Sequence, residues 1–108
     1  ETSQTITKML VEVVDSSLQD GKVKNEHYSV AAKTGTAQLV DNGGGGGYYK
    51  DRFLHSFFGY FPASKPQFLV FLFMVDPKNV NYASQTLTDP FIKITKFLIN
   101  YYQIPPDR

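Results

Sequence analysis

Two apolar segments of strand length, joined by a short proline-bounded turn, constrain this fold more than any other feature of the sequence. Residues 52–61 and 67–75 are apolar at nearly every position, and residues 62–66 separate them. Apolar runs without alternation are typical of strands covered on both faces. The short connection favours antiparallel pairing of the two segments. With a further strand predicted over residues 28–40, we expect a three-stranded antiparallel meander covered on both faces.

A helix is predicted on each side of this sheet. Apolar residues recur at helical spacing over residues 3–20, with Thr2 or Ser3 available as a cap and Gly21 at the end. A second stripe follows Asp89-Pro90, which fits a cap followed by proline at the first helical position. Residues 78–87 between sheet and second helix are predicted to be irregular. The fold class is therefore α+β (mixed α/β): N-terminal helix, three-stranded antiparallel meander, C-terminal helix.

The composition excludes several classes of function. A net charge of +1 without a run of Lys or Arg argues against nucleic-acid binding. The absence of Cys excludes disulfides and thiolate metal sites, and two isolated His are too few for a metal centre. We expect no cofactor, no membrane contact by this segment and a single domain spanning residues 1–108. Residues 41–50 hold five consecutive Gly and are predicted to form a flexible loop, since they lack the phosphate-binding pattern G-x-x-x-x-G-K-[ST].

The strand predicted over residues 28–40 carries a concentrated set of polar groups. Lys33, Thr34, Gly35 and Thr36 place a cation, two hydroxyls and a glycine at consecutive positions. A glycine within a strand commonly marks the close approach of a ligand or another backbone. An edge strand with these groups can pair with an extended peptide and bind its terminal carboxylate.

Lys33-Thr34-Gly35-Thr36-Ala37-Gln38 resembles the K-T-G motif of the penicillin-binding proteins, the serine D,D-transpeptidases of bacterial cell-wall synthesis. The flanking segments Phe-Gly-Tyr-Phe-Pro (58–62), Val-Asp-Pro (75–77) and Ile-Pro-Pro (104–106) follow in the order found in that family, so the resemblance covers essentially the whole chain. Ala32 stands where many relatives have Gly. The resemblance implies the C-terminal part of a transpeptidase domain, and thus a partial fold.

The other motifs of this family are absent from the sequence. None of the seven Ser has Lys three residues later or Asn two residues later, so neither S-x-x-K nor S-x-N occurs. Nothing resembling a serine-protease triad surrounds His27, His55 or Ser56, and both His are interpreted as structural or solvated. The resemblance thus implies that the nucleophile lies in polypeptide outside this chain and that the chain alone is inactive. Two strands of the missing part would lie beside the third strand, which otherwise leaves an exposed apolar edge.

The resemblance also implies roles for five residues. Lys33 would hold a hydrogen-bond network at the reaction centre and attract anionic substrate, while the hydroxyls of Thr34 and Thr36 would bind the carboxylate of a D-Ala-D-Ala stem peptide or a β-lactam. Gly35 would let the acyl group lie against the strand. The Thr36 N–H would complete an oxyanion hole. Gln38 would lie just beyond the cleft, or else be an ordinary surface residue.

Three alternatives remain open at this point. A β-lactamase shares the K-T-G strand, although segments 58–62 and 104–106 favour the transpeptidase. A non-catalytic module could add a peptide to the strand edge. The chain could also be a purely structural polypeptide, and its exposed edge could self-associate. The transpeptidase interpretation implies a location at the extracytoplasmic face of the bacterial membrane, with any anchor outside this chain.

Overall fold

The computed structural model describes all 108 residues and has the predicted order of helix, meander and helix. Helix α1 spans Thr2–Glu12, and strands β1, β2 and β3 span Ala31–Val40, Tyr48–Phe61 and Phe68–Val75. A short helix α2 (Ala83–Thr86) precedes helix α3 (Thr88–Tyr101). The three strands form one antiparallel sheet in the order β1-β2-β3. The predicted meander is therefore confirmed, with β2 in the centre and β1 and β3 at the edges.

One face of the sheet packs against α3 and holds most of the core. Phe91 of α3 lies over Phe57 and Phe61 of β2, with ring centroids 4.5 and 6.4 Å away. All three side chains are buried. The Phe91 ring also lies directly over Gly59, where a Cβ atom would be only 2.8 Å from ring atom Cε2. Gly59 is therefore required for the close approach of α3 to the sheet.

The other face of the sheet is covered only in part. Tyr60 points to this face, and its hydroxyl lies 2.7 Å from the Thr7 hydroxyl of α1, which covers the β1 side. On β3, Phe71 and Phe73 are 58% and 64% exposed, and Leu69 and Val75 are exposed as well. The prediction that both faces are covered is thus wrong for β3, because α1 is too far toward β1 to reach it. The predicted apolar edge at β3 is confirmed.

Several boundaries differ from the sequence prediction. Helix α1 ends at Glu12, and a π-helical turn (Val13–Ser17) and a 3₁₀ turn (Leu18–Gly21) follow it. The sequence had predicted one helix that runs on to Asp20. Gly21 has the expected left-handed φ of 76°. The helix is preceded by Glu1, with no side-chain cap from Thr2 or Ser3. Strand β2 begins at Tyr48, which shortens the loop predicted over residues 41–50.

The segment before α3 is more regular than predicted. It contains α2, and α3 begins at Thr88, so that Pro90 is its third residue rather than its first. Proline is tolerated there because the first N–H groups of a helix have no partner within it.

The C-terminal tail returns to the start of β1 and holds it in place. The Asp107 carboxylate accepts hydrogen bonds from the Ser29 amide at 2.7 Å and the Ser64 hydroxyl at 2.6 Å. Arg108 pairs with Asp15 at 2.6 Å. Partial burial by itself raises the pKa of Asp107, but the combined hydrogen bonds from Ser29 and Ser64 outweigh burial and hold that pKa below its usual value. The tail therefore stabilises the entry to β1 through an ionised carboxylate.

Candidate functional site

The register of the sheet determines which backbone groups of β1 face the free edge. The amides of Asp76 and Gln67 donate to the carbonyls of Phe53 and Phe61, so odd-numbered residues of β2 direct their backbone groups to β3. Even-numbered residues of β2 therefore bond to β1, where they pair with odd-numbered residues such as Lys33 and Gly35. It follows that the N–H and C=O groups of Thr34 and Thr36 point away from the sheet, at an edge where no further strand of this chain pairs with β1.

Side chains of this segment lie on alternate faces of the edge strand. Lys33 and Gly35 share the face of Phe58 and Ser56, whereas Thr34 and Thr36 share the face of Phe57 and His55. The Lys33 ammonium donates to the outward carbonyl of Thr34 at 2.7 Å, which keeps it at the free edge. A ligand lying along this edge can thus be contacted from both faces of the strand at once.

The glycine at position 35 lies against the neighbouring strand. Gly35 is opposite Ser56, whose hydroxyl lies 3.5 Å from the Gly35 carbonyl oxygen and occupies the space that a Cβ atom at Gly35 would need. Gln38 is exposed near the end of β1 and makes no side-chain hydrogen bond. The structure thus places all five predicted site residues on one edge strand, and it leaves Gln38 as a surface residue of this chain.

Thr36 differs from Thr34 in having a fixed hydroxyl. Its Oγ1 accepts a hydrogen bond of 3.0 Å from the Ala83 amide, the first residue of α2. Since a hydroxyl has one proton and two lone pairs, this contact leaves the Thr36 proton free to be donated. The sequence did not predict α2 or this contact, because the two residues are 47 positions apart.

His55 holds the segment that contains Ala83. Its side chain is 0% exposed, with Nε2 at 3.1 Å from the Asn81 carbonyl oxygen and Nδ1 at 2.8 Å from the Thr86 hydroxyl. Because a carbonyl only accepts, we assign the hydrogen to Nε2, and Nδ1 then accepts from Thr86. His55 is also the β2 residue directly opposite Thr36. The interpretation of His55 as structural fits these contacts.

Two other cations, one in β2 and one after β3, are paired with the same carboxylate. Arg52 and Lys78 contact Asp76 at 3.0 and 2.8 Å, and the hydrogen bond from Lys78, followed by that from Arg52, lowers the pKa of Asp76. These two cations are thereby partly neutralised. Lys33, in contrast, contacts only a carbonyl. It is the cation presented at the β1 edge itself.

The edge is an open shelf rather than an enclosed pocket. A cavity of about 630 Å³ lies between the start of α1 and the turn that follows β2, and no residue of the segment 33–38 lines it. No group of three or more His, Asp or Glu is placed to hold a metal ion. No helix has the length and hydrophobicity needed to cross a membrane.

Known proteins resemble this chain over most of its length. Residues 1–96 match the family model described as penicillin binding protein transpeptidase domain. Among curated relatives, the peptidoglycan D,D-transpeptidase FtsI of Buchnera aphidicola (subsp. Schizaphis graminum) is 37% identical over 81 residues, or 74% of this chain and 14% of that protein. Stage V sporulation protein D of Bacillus subtilis is 30% identical over 93 residues, or 83% of this chain and 14% of that protein.

Solved structures agree with the predicted partial fold. Penicillin binding protein 3 of Mycobacterium tuberculosis, complexed with ampicillin, superposes with a TM-score of 0.77 at 26% identity, over 96% of this chain and 25% of that one. The same protein complexed with aztreonam gives a TM-score of 0.76. The chain thus spans about a quarter of that structure and a smaller share of the curated relatives. Because the family model covers most of its length, this chain belongs to the penicillin-binding protein transpeptidase domain family.

Proposed function

We propose that this chain is the C-terminal part of a serine D,D-transpeptidase that cross-links peptidoglycan stem peptides and is acylated by β-lactams. Its edge strand β1 would bind the substrate carboxylate and supply one donor of the oxyanion hole. The observation that carries this proposal is the pair of outward N–H groups at Thr34 and Thr36, beside the Lys33 ammonium and the Thr36 hydroxyl.

Each group has a chemical task in this proposal. The outward N–H of Thr36 is a fixed donor for the oxygen that gains negative charge when an acyl carbonyl is attacked, and one such donor contributes about 10²–10³ in rate. The Thr36 hydroxyl proton, free of the contact with Ala83, can be donated to a carboxylate. The Thr34 hydroxyl lies on the same face as that of Thr36. Lys33 adds a charge that attracts the anionic end of a D-Ala-D-Ala peptide.

The nucleophile is assigned to polypeptide outside these 108 residues. No Ser in the chain has the S-x-x-K or S-x-N context. A serine from the remainder of the domain would attack the penultimate D-Ala carbonyl, D-alanine would leave, and the amine of a second stem peptide would release the acyl group. The same remainder would cover the exposed face of β3. By this proposal the complete protein acts at the extracytoplasmic face of the bacterial membrane.

The test uses the complete transpeptidase domain that contains this chain, with acylation by a fluorescent penicillin as the assay. We expect Lys33→Ala to lower the acylation rate constant divided by the dissociation constant by about 10²-fold. The matched control is Lys93→Ala, since Lys93 is an exposed lysine on α3 and should be neutral. An unreactive parent domain, or a Lys33→Ala variant as reactive as the control, would overturn the proposal.

A second candidate function is supported by the free edge of β1 alone. A non-catalytic module could bind an extended peptide there by strand addition. Such binding would rest on main-chain hydrogen bonds and would survive Lys33→Ala. Titration of a D-Ala-D-Ala peptide and of the same peptide with an amidated C-terminus separates the two candidates. Carboxylate-dependent binding supports the transpeptidase, and equal binding of both peptides supports the module.

A further inference from the structure

The hydroxyl of Thr36 is held by a chain of contacts that ends at a buried histidine. Ala83 donates its amide to Thr36, and the segment 81–86 that contains Ala83 is bound at both ends by His55. His55 cannot face solvent or substrate in this chain, since its side chain is fully buried. It touches the Asn81 carbonyl on one side of Ala83 and the Thr86 hydroxyl on the other.

We propose that His55 is a positioning residue for carboxylate binding: it orients the Thr36 hydroxyl through the segment 81–86. This proposal rests on the proposed function, in which Thr36 binds the substrate carboxylate. The amide of Ala83 occupies one lone pair of Thr36, so the Thr36 proton points away from that amide and can be donated to another acceptor, such as a ligand at the free edge. If His55 releases the segment, Ala83 moves and the Thr36 hydroxyl loses its fixed direction.

Removal of the His55 contacts should therefore affect binding more than chemistry. A hydroxyl that samples several rotamers forms a weaker hydrogen bond with a carboxylate, whereas the Thr36 N–H remains fixed by the strand. We expect His55→Phe to raise the dissociation constant of the non-covalent penicillin complex about tenfold, while the rate constant of acylation changes much less. His55→Gln keeps a donor near the position of Nε2 for the Asn81 carbonyl and should restore most of the affinity.

Two variants outside β2 test the same connection without altering the core histidine. Thr86→Val removes the hydroxyl that Nδ1 of His55 accepts from and should weaken binding in the same direction. Ala83→Pro removes the amide donor itself. Proline suits this position, because Ala83 is the first residue of α2 and Tyr82 before it is extended, with φ −117° and ψ 139°. Its ring would occupy the place of the amide hydrogen and displace the Thr36 hydroxyl.

The decisive experiment is a double-mutant cycle between His55→Phe and Thr36→Val in the complete transpeptidase domain. Pre-steady-state acylation by a fluorescent penicillin gives the dissociation constant and the acylation rate constant separately. We expect Thr36→Val to raise the dissociation constant about tenfold, and His55→Phe to add nothing further in that background. Thermal unfolding of each variant, measured alongside, identifies any general loss of structure.

The outcomes separate this inference from the function on which it rests. A parent domain that penicillin does not acylate overturns the proposed function and this inference with it. A reactive parent whose dissociation constant is unchanged by His55→Phe overturns this inference alone. An increase of the dissociation constant by His55→Phe that is equally large with and without the Thr36 hydroxyl also overturns this inference alone. His55 would then act on the fold and not through Thr36.

Discussion

Replacing Gly59 with alanine should destabilise the chain, because the space above Gly59 is filled by the Phe91 ring. An added Cβ would lie 2.8 Å from Cε2 of Phe91, nearer still to Cζ, and 3.1 Å from the Ala31 carbonyl oxygen. Carbon atoms in contact normally lie about 3.5–4.0 Å apart. Phe91 is 1% exposed and packs at 4.5 Å on Phe57, so its ring has little room to move.

The magnitude follows from two opposing effects. Overpacking of a buried site costs about 1–3 kcal/mol. Alanine restricts the unfolded chain more than glycine does and returns about 0.4–1 kcal/mol where the backbone accepts it. We therefore expect Gly59→Ala to lower the free energy of unfolding by about 1–2 kcal/mol. Urea denaturation followed by circular dichroism measures this difference.

A control and a compensating variant make the test specific. Gly45→Ala adds the same methyl group where no atom lies within 4 Å, and it should be neutral or slightly stabilising. Phe91→Leu removes the ring that causes the clash. The loss of unfolding free energy caused by Phe91→Leu should therefore be smaller by at least about 1 kcal/mol in the Gly59→Ala background than in the parent chain, roughly the strain relieved. Equal stability of Gly59→Ala and Gly45→Ala would refute this account of the α3–sheet packing.

Three further predictions concern the tail, the exposed strand and Gly35. The hydrogen bonds that lower the pKa of Asp107 contribute stability that is fully present above its ordinary pKa of 3.8 and is lost as pH falls through the lower folded-state pKa. Urea midpoints measured across this pH range should therefore fall less for Asp107→Asn than for the parent chain. Parallel curves for the two would contradict the prediction. The exposed apolar face of β3 predicts self-association of the isolated chain, which Phe73→Lys should reduce in sedimentation velocity; a monomeric parent at high concentration would count against it. Gly35→Ala must displace the Ser56 hydroxyl and should lower penicillin acylation, whereas the double variant with Ser56→Ala should recover part of it; no recovery would show that Gly35 serves the ligand and not Ser56.

The sequence predicted the elements of this fold well, because they depend on local patterns. Apolar residues at helical spacing marked α1 and α3, and the proline-bounded turn at 62–66 joined β2 to β3. The segment 33–38 was placed correctly on an edge strand. The wrong boundaries lie where the local pattern misleads or where an element is very short. The π and 3₁₀ turns after Glu12 interrupt a pattern that continues to look helical, and α2 is only four residues long.

Coverage of the sheet was predicted less well. Eight consecutive apolar residues in β3 were interpreted as a strand buried on both faces, yet Phe71 and Phe73 are exposed. Burial depends on what packs against a strand, and α1 lies toward β1 instead. The chain matches about a quarter of a longer solved chain, and in the proposed function the remainder of the domain covers this face of β3.

By itself, the sequence determined which residues could form the site: a cation, two hydroxyls and a glycine on one strand. Only the tertiary structure decided how they are presented. Adjacent Phe57 and Phe58 leave open which face of β2 is buried, since a shift of one residue would exchange two apolar faces at little cost. Packing of Phe91 on Gly59 removes this ambiguity, and the register then turns the amides of Thr34 and Thr36 to the free edge. The contact between Thr36 and Ala83 likewise joins residues far apart in the chain, so no local pattern could specify it.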